Sequence, residues 1–184
     1  MAFHCVLRPE EAAGLQRRHL ILPLDGHLLQ AGVVALVDTK TANRGVMVQS
    51  VMIFDLTLLN FLSRLFGHLK PGEGLCPGGL ASFRRRLTSV LRRLGADTIG
   101  ITAGSFRAGG ATYSFECGMD LAEIQPRGRW DSSRTLSHYI QSASAAIAFS
   151  RLDLATSRHI SNVGEFFATL VAGAKADGRA LPTG

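Results

Sequence analysis

Residues 105–140, SFRAGGATYSFECGMDLAEIQPRGRWDSSRTLSHYI, admit few structures. Positions 108–111 are all small, so a helix through them can let a neighbouring segment come close, with Ser105 suited to its cap and Gly118 to its end. Arg107 then falls at the head of that helix, where a buried position is expected. Residues 119–125 read as a second short helix stopped by Pro126. RGRWDSS turns the chain, and Ser132 or Ser133 starts a third helix carrying Tyr139. An arginine forks onto phosphate in a bidentate way and a tyrosine hydroxyl can form a covalent intermediate, so the stretch reads as phosphate-binding and nucleophile-bearing.

Upstream, LRPEEAAGLQRR opens a helix: Pro9 suits the first helical position and Glu10 and Glu11 suit the positive helix end. Arg8 therefore sits beside a helix start, a ready anion site, unless it is simply a solvated surface arginine. Over residues 19–50 the pattern changes to β-prone runs, HLILPL, GVVALVDT and GVMVQSV. The last two are expected to pair as a hairpin with Asn43, Arg44 and Gly45 in the turn and Lys40 at the end of the first arm. A lysine there keeps a sheet edge soluble or reaches into a cleft.

Residues 51–68 have apolar side chains at helical spacing, at Met52, Leu56, Leu59, Leu62 and Phe66, and are expected to form a core helix. After a Gly- and Pro-rich loop, Ser82 is expected to cap a helix. Its Phe83, Leu87, Val90, Leu91 and Leu94 face inward while Arg84, Arg85, Arg86, Arg92 and Arg93 cover the other side, to Gly95. Helices are expected again at 143–154 and 163–172, followed by a disordered tail at 173–184. The whole reads as an α+β chain, mainly α, with a small antiparallel sheet near its N-terminus, in one domain over residues 1–172.

Charge narrows the partners. Of 20 Lys plus Arg, all but Lys40, Lys70 and Lys175 are arginine, and the net charge is +6. Such a balance favours a polyanion and leans mildly toward nucleic acid or phosphate; should the partner be double-stranded DNA, Arg84, Arg85, Arg92 and Arg129 are the candidate backbone contacts, though an arginine face can equally be only solvated. Cys5, Cys76 and Cys117 are odd in number and widely spaced, so neither a disulfide framework nor a metal site is expected, and buried thiols are. No run is long enough to span a membrane and no leader precedes the first helix. An intracellular chain is expected, nuclear if eukaryotic.

Arg8 in LRPEEAAGL, Lys40 in DTKTANRG, Arg107 in RAGGAT, Trp130 in GRW and Tyr139 nine residues later stand together in chain order. In this the sequence resembles the catalytic domain of the tyrosine recombinases, the phage integrase family, over roughly residues 6–145. Its wording is closest to eukaryotic and transposon-borne members. The resemblance implies that family's fold and a site-specific DNA strand transferase working through a 3′-phosphotyrosine, with no cofactor and no metal. Arg8 and Arg107 would clamp the phosphate oxygens, Trp130 would donate its indole N–H, Lys40 would protonate the leaving 5′ oxygen, and Tyr139 would attack. Homo-oligomers on DNA are implied as well.

Two departures qualify these expectations. Where the family carries histidine or lysine three residues before the second arginine, this chain has Gly104, which offers no side chain to the phosphate. Thr102, Ser105 and His138 are the nearby substitutes. Losing one general acid or base costs about 100- to 10,000-fold in rate, so slow chemistry, or DNA binding without cutting, is the alternative expectation. The chain also starts almost at Arg8, leaving no room for the family's N-terminal clamping domain. An all-helical scaffold with merely solubilising arginines is a third reading, in which the five site residues would not come together.

Overall fold

The computed structural model describes residues 1–25, 30–36 and 49–173. Lys40, the turn at 43–45 and the tail from 174 lie outside them. The described chain is α+β and mainly helical, with a three-stranded antiparallel sheet. It divides into two compact units, one of residues 1–13 and 78–160, the other of residues 14–77 and 161–184.

The second unit holds the sheet. β1 (Leu20–Ile21) pairs with β2 (Gly32–Leu36), which pairs with β3 (Gln49–Ile53), Leu36 standing opposite Gln49. The two expected hairpin arms do pair, and the second continues past Val51, the last residue of GVMVQSV, to take in Met52 and Ile53. The core helix accordingly begins not at Val51 but at Leu56, as α2 (Leu56–Phe66). Asp55 sets that start: its carboxylate accepts from the Thr57 and Leu58 amides, a cap that contributes about 1 kcal/mol. Alternate residues of β2 are buried, and α2 lies so close to Gly32 that a Cβ there would collide with Leu59 Cδ2. Leu59 and Leu62 are buried as the spacing implies, whereas Leu56, at the first position of the helix, is 56% exposed.

The first unit is almost entirely helical: α1 (Pro9–Gly14, whose last residue falls in the other unit), α3 (Gly79–Arg93), α4 (Ser105–Glu116), α5 (Leu121–Gly128), α6 (Ser133–Ser137), α7 (Ser142–Ser150) and the start of α8 (Leu154–Gly173). Several boundaries differ from expectation. Ser82 is not a cap but a buried residue inside α3, because Gly78, at φ 79°, makes the left-handed turn that begins the helix four residues earlier. Gly104 rather than Ser105 caps α4. Pro126 does not stop α5 but sits in its last turn, where the chain goes on to Gly128 before Arg129 takes a left-handed conformation. In α3 the arginine side is exposed as expected, and Val90 is exposed with it. Cys5 is buried, but Cys76 is half-buried and Cys117 exposed, against the expectation of buried thiols.

This unit's core gathers Val6 from the N-terminal segment, Ala111 from α4, Ile124 from α5, and Trp130 and Leu136. Met119, Leu121, Tyr139 and Ile140 pack around them. Two glycines permit it. At Gly110 a Cβ would run into the Phe3 carbonyl oxygen, so the small-residue run does bring a neighbouring backbone close. At Gly128 a Cβ would run into the Trp130 ring at Cζ3.

Candidate functional site: a buried guanidinium cluster

Arg107 lies in the first turn and a half of α4 with only 4% of its surface exposed. Its guanidinium carbon is 4.4 Å from the centre of the Trp130 ring and 5.7 Å from that of Tyr139, and the two rings are 5.1 Å apart. Arginine, tryptophan and tyrosine from three separate segments therefore share one neighbourhood. Tyr139 differs from expectation in one respect. It stands not on α6 but in the turn just past it, its amide bonded to the Leu136 carbonyl at 2.8 Å.

The hydrogen bonds here are unbalanced. Arg107 Nη2 donates to the Gly128 carbonyl, but its Nη1 and Nε are buried without acceptors, as are Trp130 Nε1 and Arg129 Nε. A buried donor left unpaired costs about 1–3 kcal/mol, and folded proteins tolerate few. Four such donors in one cluster, against one unpartnered acceptor there, Glu11 Oε1, describe a place short of acceptors.

Its charge is unbalanced in the same sense. Burial, then the Arg8 and Arg129 cations, lower the pKa of Arg107 to about 10, against smaller opposing effects of Glu11 and Tyr139. Arg8, whose side chain is 38% exposed, and Arg129, 9% exposed, both turn to Glu11. Arg129 Nη2 donates to Glu11 Oε2 at 2.5 Å, Arg8 Nη1 lies 3.7 Å from Oε1, and the Arg8 amide donates to Oε2 at 2.8 Å. Two guanidinium groups thus share the Glu11 carboxylate while that of Arg107 has only a carbonyl, leaving positive charge in excess where water is largely excluded.

Backbone strain marks the same place. Val6 (φ 51°) and Arg129 (φ 57°) are the non-glycine residues with positive φ among those described, and Arg129 Nη2 reaches the Val6 carbonyl at 3.5 Å. Each such conformation costs about 1–3 kcal/mol, most of all at a β-branched valine, and strain of this kind concentrates at functional sites.

Of the residues singled out in the sequence, Arg107, Trp130 and Tyr139 come together and Arg8 joins them through Glu11 and Arg129, while Lys40 lies outside the described residues. Arg84, Arg85 and Arg92 are exposed on α3, and none forms an ion pair among the described residues. Arg129, expected as a surface contact, is inside the cluster. Gly104 is exposed at the start of α4, with Thr102 Oγ1 3.6 Å from where a Cβ would be. Thr102 and Ser105 bond to each other there, while His138 is exposed.

In sequence Glu11 reads only as a helix-start acid. Its larger role is visible at best in its place three residues after Arg8, one helical turn on. Thr112, whose hydroxyl donates to the Tyr139 carbonyl, carries no signal beyond being a polar residue in a small-residue run. No group of three or more His, Cys, Asp or Glu able to hold a metal occurs among the described residues, and none of their helices is long and apolar enough to cross a membrane. Compared with protein-family models, curated proteins and solved structures, the chain matches none.

Proposed function

We propose that the protein is a DNA strand transferase of the tyrosine-recombinase type. The observation that carries the reading is the set of buried, acceptor-less donors on Arg107 and Trp130 beside the Tyr139 ring. A phosphodiester supplies what that cluster lacks: non-bridging oxygens to accept from the guanidinium and the indole, and a negative charge to offset Arg8, Arg107 and Arg129. The same contacts strengthen as charge grows on those oxygens in the pentacoordinate transition state.

The Tyr139 oxygen attacks phosphorus as its proton passes to water, the bond from phosphorus to the 5′ oxygen breaks, and the 5′ oxygen takes a proton from Lys40 and departs as a hydroxyl. The product is a 3′-phosphotyrosine, which the hydroxyl of a second strand reverses without outside energy. Outside the cluster, Arg84 and Arg85 on the second turn of α3 and Arg92 near its end stand about 10–12 Å apart along the axis, close to the width of a major groove. They serve as sequence-independent contacts to the DNA backbone.

The test is covalent trapping on a nicked duplex whose cleavage releases a short fragment. Wild type forms a protein–DNA adduct and Tyr139→Phe does not; equal adduct from both rules the chemistry out. One observation favours a second reading, a DNA-binding domain that does not cut: Gly104 brings no side chain to the start of α4. On that reading DNA binding is salt-sensitive, weakens in Arg107→Met, is indifferent to Tyr139→Phe, and no adduct forms.

A further inference from the structure

We infer that Thr112 is a positioning residue whose hydroxyl ties the Tyr139 turn to the helix that bears Arg107; the inference rests on the strand-transfer reading for its catalytic consequence, not for the tie itself. Thr112 is buried, five residues after Arg107 on α4. Its Oγ donates to the Tyr139 carbonyl at 3.1 Å and accepts from the Gln141 amide at 3.0 Å. A carbonyl and the amide two residues on are the pair that a three-residue turn would bond directly. Here one hydroxyl from 27 and 29 residues away is inserted between them.

The consequence is mechanical. α6 has five residues and ends before Tyr139, so it does not itself fix the tyrosine. Neighbouring bonds are local: the Tyr139 amide goes to Leu136 and the Gln141 side chain to the His138 carbonyl. None of these ties the turn to α4. The Thr112 hydroxyl does, holding the Tyr139 backbone at a set position on the helix from which Arg107 projects, while the Tyr139 ring lies against Trp130. A nucleophile displaced by about 1 Å from its phosphate can lose about 100-fold in rate, so this tie sets how well Tyr139 meets a phosphate held by Arg107.

Thr112→Val keeps the shape and removes the hydroxyl; Thr112→Ser keeps the hydroxyl. The first measurement needs no DNA. Amide hydrogen exchange is followed at Gln141, together with emission from Trp130, the one tryptophan of the chain. In Thr112→Val the Gln141 amide is expected to exchange at least tenfold faster and the Trp130 emission to shift, with α4 and α5 amides unchanged, while Thr112→Ser behaves as wild type. Exchange and emission unaltered in Thr112→Val, or altered equally in Thr112→Ser, would overturn the tie. General loss of protection in Thr112→Val signals misfolding, and Thr112→Ala, which demands less space, then takes its place under the same criteria.

The second measurement is adduct formation on saturating nicked DNA. Thr112→Val is expected to form adduct at least tenfold more slowly at an unchanged half-saturating DNA concentration, with serine restoring the rate. Weaker DNA binding at an undiminished rate would overturn the positioning role. If wild type itself forms no adduct, the strand-transfer reading falls, and exchange and emission alone decide the tie.

Discussion

Arg107 places on the fold the cost of a buried charge with two unpaired donors. Its charge is buried beside two other cations, so its pKa lies near 10, below its ordinary value. Between about pH 10 and the ordinary arginine range the unfolded chain therefore binds more protons, and stability due to this residue rises with pH there. Arg107→Met keeps the contact with Trp130 and removes the charge, and buried charges replaced by apolar groups commonly leave a protein as stable or up to about 4 kcal/mol more so. At neutral pH the variant is expected to melt no lower than wild type, and the comparison to move in favour of wild type between pH 9 and 11. Melting curves across that range decide it, and a large loss of stability at pH 7 would refute the argument. Gly104 gives the opposite experiment. Its backbone is ordinary helical, φ −68°, and a Cβ meets nothing closer than 3.6 Å, so Gly104→His folds without strain. On the strand-transfer reading the adduct forms about 100- to 10,000-fold faster in that variant. Gly128→Ala drives a methyl into the Trp130 ring and is expected to cost about 1–3 kcal/mol in chemical denaturation and to shift the tryptophan emission.

At the scale of elements, α3 offers a separable prediction. It has no acidic residue, and its exposed arginines are unpaired among the described residues. Changing Arg84, Arg85 and Arg92 to glutamine is expected to reduce the slope of log affinity against log salt by about 0.9 for each phosphate that those arginines neutralise, while leaving the melting temperature nearly unchanged; titration at several salt concentrations measures it. The elements also show what periodicity could and could not reveal. Leu59 and Leu62 are legible as core because their spacing is helical, but the start of α2 is not. Residues 51–53 satisfy a helical and an extended pattern alike, and pairing with β2 decides between them. Ser82 looks like a cap because serine usually is one. The left-handed Gly78 gives the helix an earlier start, which composition does not record. Pro126 reads as a stop, yet the helix runs two residues past it, the proline forgoing only the one amide bond that would have gone to the Ala122 carbonyl.

At the scale of the molecule, four residues of the candidate site are legible in chain order, while the features that set their cluster apart are not. That Arg129 points inward to Glu11 depends on a left-handed backbone at a non-glycine residue, for which sequence gives no warning. The unpaired donors depend on burial that only the assembled core creates. A single tryptophan makes this assembly observable: tungstate or orthovanadate added to the whole protein is expected to change Trp130 emission in wild type and not in Arg107→Met, and an equal response in both would rule out an oxyanion site in this cluster. Order of synthesis enters as well. Residues 1–13 complete a unit whose remainder starts at residue 78, and Glu11 pairs with a residue 118 positions later in the chain. On a ribosome adding about 5–20 residues per second, the Glu11 carboxylate waits about 6–24 s for its arginine. Until then the N-terminal segment carries Cys5, Val6 and Leu7, all buried in the finished protein, with no core to enter, so its exposure is an interval in which a chaperone has something to hold.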